Sequence, residues 1–296
     1  MKWIRSPWLF WLYRFMPHRL FNLMVNWIMT IKRPRWLVRL IIKKWIAWRG
    51  IDMSHFVERE IDSYTNVEEF FLRRLRPGAR PFAKEGFMSP VDGNLMAYGI
   101  LEKDTMLQAK GQSSSVNQMV NSSRYHHPME DYEGGAYITI FLTPNGYHRI
   151  HMPCDATIRS IQWIPGRFFP QNEDAIHYIP RIYERNERAV LCCERNDEAR
   201  TPFIMVLIAA SLVGGIHLTS MTRDEWVGTE VTQCELFKEK GEEIAHFSFG
   251  STIVILFPRH WTQDENGPAT ASLHSERALQ ESLLMGVPLV FRHKKP

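Results

Sequence analysis

The sequence predicts an α+β protein in which amphipathic helices precede a β-rich domain of sandwich or barrel-like form. The first 50 residues contain 11 basic residues, no acidic residue and seven of the ten tryptophans, at spacings typical of helices. From Met88 onward, short apolar runs alternate with glycine, proline and asparagine, which is typical of strands joined by turns. We therefore divide the chain into helices at 1–55, a connector at 56–87 and the β-rich domain at 88–296.

The composition is that of a folded protein with an uneven charge distribution. With 45% hydrophobic and 23% charged residues, a chain of 296 residues can bury a substantial core. The first 50 residues carry +11 and the remainder −7. The four cysteines have no metal-type spacing, which indicates reduced thiols on the cytosolic side. A redox role for Cys192-Cys193 is disfavoured because neighbouring strand positions point to opposite faces.

The N-terminal segment has neither the pattern of a secretory signal nor that of a membrane span. Its first apolar run is broken by Arg14, and no small-residue cleavage site follows. The longest stretch without charge, 20–31, has twelve residues, whereas crossing a bilayer takes about 20. Three prolines divide the segment into two or three short helices: Pro7, Pro17 and Pro34.

One of these helices has the character of a membrane-docking helix. Apolar residues follow one another at spacings of three and four, at Leu37, Ile41, Trp45 and Trp48, beside a basic stripe at Arg35, Arg39 and Lys43. Tryptophan and basic residues suit the lipid headgroup zone, so we expect peripheral docking on an anionic membrane surface, at the cytoplasmic side of the inner membrane. One alternative is a helical hairpin packed on the β-rich domain with its basic side solvated. Nucleic-acid binding is disfavoured because the aromatics follow helical stripes, and we expect none.

The connector contains a helix start and an arginine cluster. Asn66 with Glu69 three residues later predicts a capped helix. Four arginines follow, at Arg73, Arg74, Arg76 and Arg80. They form either a solvated surface or a contact with phosphate or a lipid headgroup, and the sequence leaves both open.

Six apolar runs in the β-rich domain predict strands: 94–100, 136–142, 156–164, 203–213, 228–236 and 252–257. We expect a loop at 172–182, a loop with a short helix at 270–284, and a closing strand at 287–291.

A Gly250-Ser251 step leads into the last of the six runs. Glycine leaves its own carbonyl sterically open, and the Ser251 hydroxyl can attack that carbonyl if a base removes its proton. Taken alone, however, glycine followed by serine is a common turn pair.

Three further residues are candidates to assist Ser251. Asp92 lies in a Pro-Val-Asp-Gly turn that presents a carboxylate from a rigid frame. His148 and His151 face opposite ways on a regular strand, but similar ways on a helix or a bulged turn. Their spacing does not say which histidine serves Ser251, and a zinc site would lack a third ligand motif.

Six motifs in one order carry a resemblance to a known family. They are 70–77 with Arg80-Pro81, 89–93, 108–111, 147–154, 186–188, and 240–243 leading into Gly250-Ser251-Thr252. With them the chain resembles, nearly end to end, the phosphatidylserine decarboxylases of bacteria, which are membrane-associated pyruvoyl enzymes. The resemblance implies a carboxy-lyase, made as a proenzyme, that converts phosphatidylserine to phosphatidylethanolamine in phospholipid biosynthesis. It implies no metal and no diffusible cofactor.

The resemblance also implies roles for individual residues. Ser251 matches the serine that becomes the pyruvoyl group when the chain cleaves itself after Gly250. His151, the second histidine of its motif, matches the base that activates Ser251, and Asp92 matches the acid that orients this base. His148 matches the histidine implicated in decarboxylation.

The implied cofactor is thus a covalent pyruvoyl group derived from Ser251, which binds the substrate amine as a Schiff base and accepts the electrons released with carbon dioxide. The products of cleavage, 1–250 and 251–296, are expected to stay associated. A homodimer is compatible with the sequence, which does not fix the oligomeric state.

Three segments depart from the family pattern, one of them being Ala209-Ala210-Ser211 in place of Val-Gly-Ala, and two other functional classes compete. Phe249 replaces a leucine, and Ile244-Ala245 replaces a Met-Gly pair at a position that we expect to be a turn. A serine hydrolase that does not cleave itself is disfavoured because the chain has no Gly-x-Ser-x-Gly elbow. A catalytically silent peripheral membrane protein is disfavoured because all four candidate residues are present.

Overall fold

The structure, a computed structural model, describes residues 18–107, 113–123, 129–143, 146–171, 176, 179–210, 215–228, 231–248, 251–260 and 282–289, and the side chains of these except 18–23 and 107. Some predictions fall outside this part of the chain. They concern any helix before Pro17, the 108–111 motif, residues 172–175 and 177–178 of the expected loop, residues 211–213 of a predicted strand, Phe249 and Gly250, the short helix as far as residue 281, and residues 290–291.

Two helices form the described part of the N-terminal segment. Helix α1 spans His18–Thr30 and helix α2 spans Arg35–Arg49. Helix α2 begins directly after Pro34, which confirms this proline as a boundary, whereas Pro17 lies outside the described residues. Gly50 ends α2 at φ 63°, a conformation that glycine adopts without strain. No described helix is both long and apolar enough to cross a membrane.

The apolar residues of α2 divide between an inward and an outward face. Ile41 and Trp45 are partly buried against a cluster built around Val38 and Ile42, so the predicted stripe does not lie on one exposed face. The outward face carries three exposed apolar side chains, Trp36, Leu40 and Trp48, which are 65%, 41% and 59% exposed. The basic Arg39, Lys43 and Lys44 are exposed on the same helix.

The connector packs against these helices through the short helix α3, Val67–Phe71. The predicted cap is confirmed, since the Asn66 side chain accepts a hydrogen bond from the Glu69 backbone N–H at 2.7 Å. The Glu69 carboxylate in turn accepts from the backbone N–H of Thr65. The arginine cluster that follows is divided: Arg74 and Arg76 are exposed, whereas a solvated surface is wrong for Arg73 and Arg80, which lie inside.

Thirteen strands are assigned within the described residues: β1 Gly93–Ile100, β2 Thr105–Leu107, β3 Ser113–Ser115, β4 Ala136–Leu142, β5 Arg149–His151, β6 Ala156–Ile164, β7 Arg188–Arg195, β8 Pro202–Ala209, β9 Ile216–Leu218, β10 Thr232–Lys238, β11 Glu243–Phe247, β12 Ser251–Phe257 and β13 Ser282–Leu283. Eight of them form an antiparallel sheet in the order β10-β6-β7-β8-β12-β4-β1-β13. A second sheet has the order β5-β11-β9, and β2 pairs with β3.

The main sheet is covered on both faces, so β12 is apolar along its whole length. On one face Ile253 and Ile255 pack in a core with Ile150, Ile216 and Ala245 of the three-stranded sheet. The other face packs against α4 (Val116–Val120) and α5 (Ile182–Arg185). Helix α6, Arg223–Trp226, contributes the buried Trp226 to the first core. These layers confirm the α+β class and the β-rich domain behind amphipathic helices.

Several strand predictions are confirmed and others need correction. Strands β1, β4 and β6 lie within one residue of their predicted bounds. The run at 228–236 begins too early, because Gly228 has φ 85° and only residues 232–238 form β10. Ile244 and Ala245 lie within β11 and not in a turn; the turn glycine is Gly241, with φ 85°. Cys192 and Cys193 lie in opposite cores, as expected for adjacent strand positions.

Candidate active site

Ser251 is the first residue of the central strand β12, so it belongs to the strand and not to a turn before it. It is fully buried, between Leu142 of β4 and Ala209 of β8. Because side chains alternate along a strand, Ser251 shares the face of Ile253, which the three-stranded sheet covers. Its hydroxyl has no hydrogen-bond partner among the described residues. A buried hydroxyl in this state is costly and calls for an explanation.

Three residues outside β12 fix the strand next to Ser251. The Ala209 carbonyl accepts hydrogen bonds from the amides of Asn186 at 2.9 Å and Gln171 at 3.1 Å. The Ala209 N–H donates to the carbonyl of Glu187. Both backbone groups of Ala209 therefore point away from β12. In an antiparallel ladder this leaves the backbone groups of Ser251 directed to β4.

His151 lies at the end of β5 with both ring nitrogens occupied. Nδ1 is 2.7 Å from the Gly241 carbonyl oxygen, and Nε2 is 2.8 Å from the Tyr147 hydroxyl. A carbonyl only accepts, so Nδ1 carries the proton, and the lone pair of Nε2 accepts from Tyr147. Burial lowers the pKa of His151, and the Gly241 carbonyl opposes this shift. The imidazole is thus held neutral, with its basic nitrogen engaged by Tyr147.

Asp92 is held by groups other than His151. Its Oδ2 is 2.8 Å from Nη2 of Arg80, and its Oδ1 accepts from the backbone N–H of Met285 at 2.7 Å. Among the described residues, no hydrogen bond joins Asp92 to His151 or His151 to Ser251. Hydrogen bonds therefore do not connect Asp92, His151 and Ser251 in the expected series. The backbone N–H of His151 does donate to the carbonyl of Pro90, in the turn that carries Asp92.

His148 precedes β5 and is fully buried. Its ring lies against that of Phe71, with centroids 3.9 Å apart and planes inclined by 33°. Neither ring nitrogen has a hydrogen-bond partner in the described part of the chain. Burial first, and the Arg73 guanidinium second, lower the pKa of His148 to about 3, while the Gly146 carbonyl acts in the opposite direction. At neutral pH this histidine is uncharged.

The four candidate residues meet at one end of the main sheet. Asp92 directly precedes β1 and Ser251 begins β12, and both strands flank β4. His148 follows the end of β4, and its carbonyl accepts from the N–H of Phe247, four residues before Ser251. The structure thus gathers residues that the sequence separates widely. Gly250, on the other side of the expected cleavage bond, lies outside the described residues.

Three residues at the site received no individual role from the sequence: Phe71, Tyr147 and Gly241. Each lies in a motif that carries the resemblance, which is the only signal that marked them. Arg80 was expected only as part of the arginine cluster, and its pairing with Asp92 was not predicted. No group of three or more His, Cys, Asp or Glu side chains in the described ranges could hold a metal ion.

The fold and the site together define an α+β enzyme domain in which a buried serine opens a central strand beside two buried, neutral histidines. A family model described as phosphatidylserine decarboxylase matches residues 67–272. The phosphatidylserine decarboxylase proenzyme of Herminiimonas arsenicoxydans is 37% identical over 240 residues, or 78% of this chain and 79% of that relative. Those of Polaromonas naphthalenivorans and Methylibium petroleiphilum are 35% and 36% identical, over 76% of this chain and 79% and 81% of theirs. The chain belongs to the phosphatidylserine decarboxylase family, whose members are carboxy-lyases made as proenzymes.

Proposed function

We propose that this protein cleaves itself between Gly250 and Ser251 and then decarboxylates phosphatidylserine to phosphatidylethanolamine, through a Schiff base to the pyruvoyl group derived from Ser251. The observation that carries the proposal is the buried Ser251 hydroxyl at the start of β12, which has no hydrogen-bond partner within the part of the chain that the structure describes. The motif resemblance matches this serine to the one that the family processes, and the relatives are named as proenzymes.

His151 is the proposed base of the cleavage reaction. Its Nε2 lone pair must turn from Tyr147 to the Ser251 hydroxyl, while Nδ1–H stays on the Gly241 carbonyl. Asp92 contributes a negative charge that favours the protonated imidazole. Direct orientation of His151 by Asp92 would require the carboxylate to leave Arg80 and the Nδ1–H to leave the Gly241 carbonyl.

The cleavage reaction uses only groups of the chain and one molecule of water. The Ser251 oxygen attacks the Gly250 carbonyl carbon, the peptide C–N bond breaks, and an ester forms. Loss of the Ser251 α-proton then breaks the bond between Cβ and oxygen, which leaves a carboxylate on Gly250 and dehydroalanine at position 251. Addition of water and loss of ammonia yield the keto group. The fragments would be 1–250 and 251–296.

The sheet supports continued association of the two fragments. β12 pairs with β4 on one side and β8 on the other over nearly its whole length. Residues 282–283 pair with β1, and Leu289 N–H donates to the Phe87 carbonyl. All these partners belong to residues 1–250, so cleavage after Gly250 would leave the sheet intact.

In decarboxylation, the pyruvoyl group would supply the electron sink that accepts the electrons released with carbon dioxide. His148 is the residue proposed to deliver a proton to the product. In its present surroundings it is neutral, because burial and Arg73 disfavour a second proton. An anionic headgroup entering the site would raise the pKa of His148 and let it take up the proton that it then delivers.

The substrate's acyl chains stay in the bilayer, so the enzyme must dock there. The outward face of α2, with Trp36, Leu40 and Trp48 beside basic side chains, supports docking on an anionic surface. Met24 and Trp27 of α1, 50% and 63% exposed, add apolar surface. We propose peripheral attachment at the cytoplasmic side of the inner membrane.

Intact mass analysis of the purified protein tests the self-processing step. We expect two fragments that divide after residue 250, with a borohydride-reducible ketone on the smaller one, and carbon dioxide release from phosphatidylserine. Ser251→Ala should give one uncut, inactive chain. Ser248→Ala, a buried serine three residues earlier, is the matched control and should cleave. Active protein with an unbroken chain through position 251 would overturn the proposal.

A further inference from the structure

Phe71 joins the N-terminal helices to the histidine proposed for decarboxylation. Its side chain, 1% exposed, lies at the C-terminal end of α3. On one side its ring centroid is 6.1 Å from that of Trp45 on α2. On the other side it is 3.9 Å from the ring of His148. The three rings are thus in series from α2 to the candidate active site, with planes inclined by 59° for Trp45 and Phe71 and by 33° for Phe71 and His148.

The His148 ring has a close aromatic contact but no regular hydrogen bond to fix it among the described residues. Hydrogen bonds usually fix a buried imidazole, as they do for His151. The Gly146 carbonyl lies close enough to the His148 ring to raise its pKa, but neither ring nitrogen makes a hydrogen bond of regular geometry within the described residues. The backbone of His148 is held by the N–H of Phe247, but a backbone bond leaves the ring free to rotate about χ1 and χ2. Packing against Phe71 therefore restricts the ring.

The segment that carries Phe71 is anchored on both sides of it. Asn66 caps α3 at its start. Two residues after Phe71, the Arg73 guanidinium donates to the Gly146 carbonyl at 2.9 Å, and Gly146 lies two residues before His148. This hydrogen bond joins the segment that carries Phe71 to the segment that carries His148, beside the contact between their rings.

We propose that Phe71 is the positioning residue of the decarboxylation step: it holds the imidazole of His148 in the orientation that the reaction uses, and Trp45 seats it from the docking helix. Phe71 acts through His148 and does not contact the reacting atoms. The inference rests on the proposed role of His148 in decarboxylation, and it goes beyond that role by assigning its structural support. A change at Phe71 should therefore affect decarboxylation but not self-cleavage, because self-cleavage uses His151 and Ser251.

Phe71→Leu tests the proposal, with Phe70→Leu as the matched control. Both phenylalanines are 1% exposed and lie in the same helix, but Phe70 packs on Tyr64 at 5.3 Å. We expect Phe71→Leu to cleave itself fully, to lose about tenfold or more in kcat with mixed micelles of phosphatidylserine and detergent, and to keep KM within about twofold. Phe71→Tyr, which retains the ring, should recover most of the kcat.

A spectroscopic readout distinguishes positioning from general damage. In protein labelled with 13C-histidine, Phe71→Leu should raise the pKa of His148 from about 3, because a looser pocket admits water. Phe70→Leu should leave it unchanged. If Phe71→Leu does not fold, Trp45→Leu takes its place in the same micelle assay, with an expected loss of about threefold or more in kcat.

Two results would overturn the inference alone: wild-type kcat in the Phe71→Leu or the substitute Trp45→Leu variant, or equal losses in Phe71→Leu and Phe70→Leu. The His148→Asn variant is measured in parallel, and we expect it to cleave itself but not to decarboxylate phosphatidylserine. If His148→Asn decarboxylates at the wild-type rate, the proposed role of His148 fails and the inference fails with it.

Discussion

The carboxylate of Asp92 forms a buried ion pair with Arg80, at 2.8 Å between Oδ2 and Nη2, with the two side chains 12% and 9% exposed. The same carboxylate accepts the backbone N–H of Met285, which belongs to the segment after the proposed cleavage bond. Arg80 thus compensates a charge that would otherwise be stranded beside His151. It also ties the connector to the fragment 251–296 through one carboxylate.

Arg80→Met should destabilise the chain by about 3–5 kcal/mol, because it leaves the Asp92 carboxylate buried without its cation. The measurement is urea unfolding of the uncut Ser251→Ala chain, followed by tryptophan fluorescence. The double variant Arg80→Met/Asp92→Asn should recover most of the loss, because it also removes the stranded charge.

Arg39→Met is the control for this ion pair. Arg39 and Asp62 are 2.6 Å apart but 51% and 66% exposed, so breaking their pair should cost less than about 1 kcal/mol. Similar losses for Arg80→Met and Arg39→Met would contradict a special role for the buried pair.

Tyr147→Phe removes the hydroxyl that occupies the basic nitrogen of His151. We expect stability to fall by about 1–3 kcal/mol, because Nε2 is left buried without a partner. Self-cleavage should be no slower than in the wild type, because the lone pair that takes the Ser251 proton is then free. A time course of fragment formation measures this rate.

Tyr64→Phe is the matched control for that substitution, since the Tyr64 hydroxyl donates to the Glu58 carbonyl. It should leave the cleavage rate unchanged. A loss of tenfold or more in Tyr147→Phe would show instead that its hydroxyl takes part in the proton transfer.

The protein should lose stability in acid through His148. The pKa of this residue is lowered from 6.5 to about 3, so between these values the unfolded chain binds a proton that the folded chain does not. The unfolding free energy therefore falls as pH falls from about 6.5 to about 3. His246, lowered to about 4 by burial first and His217 second, acts in the same direction.

His148→Asn should reduce the slope of unfolding free energy against pH by the equivalent of one proton near pH 5, measured by urea unfolding in the Ser251→Ala background. Ile253→Val is the control, because a lost methylene lowers stability by a similar amount at every pH. An unchanged slope in His148→Asn would be inconsistent with a neutral, buried His148.

The main strands could be predicted from the sequence because β-branched and aromatic residues fill a sheet that is buried on both faces. Strand β7 was not predicted, because charged residues lie at both of its ends. The guanidinium of Arg188, at the start of this strand, is nevertheless buried and donates hydrogen bonds to the carbonyls of Met119 and Glu184. The three-residue strands β5 and β9 are too short for periodicity to detect, although β5 carries His151.

The candidate catalytic residues could be named from motifs, but their contacts could not. Arg80 lies 12 residues from Asp92, and Gly241 lies 90 residues from His151. Such pairs form only when the sheets assemble, and a local pattern does not encode them. The two faces of α2 could not be distinguished either, because Trp45 and Trp48 look alike in sequence, yet one packs on Phe71 and the other is exposed.

Docking on anionic vesicles should depend on the exposed tryptophans of α2 and on salt. Replacing Trp36 and Trp48 by serine should weaken cosedimentation with vesicles about tenfold or more, because these side chains supply the apolar contact with the headgroup zone. Raising the salt from 0.1 to 0.5 M should weaken wild-type binding, since screening shortens the reach of the basic residues from about 10 Å. Phe237 is an exposed aromatic residue on β10, and Phe237→Ser is the control that should bind normally. Equal binding by both variants would exclude α2 as the docking surface.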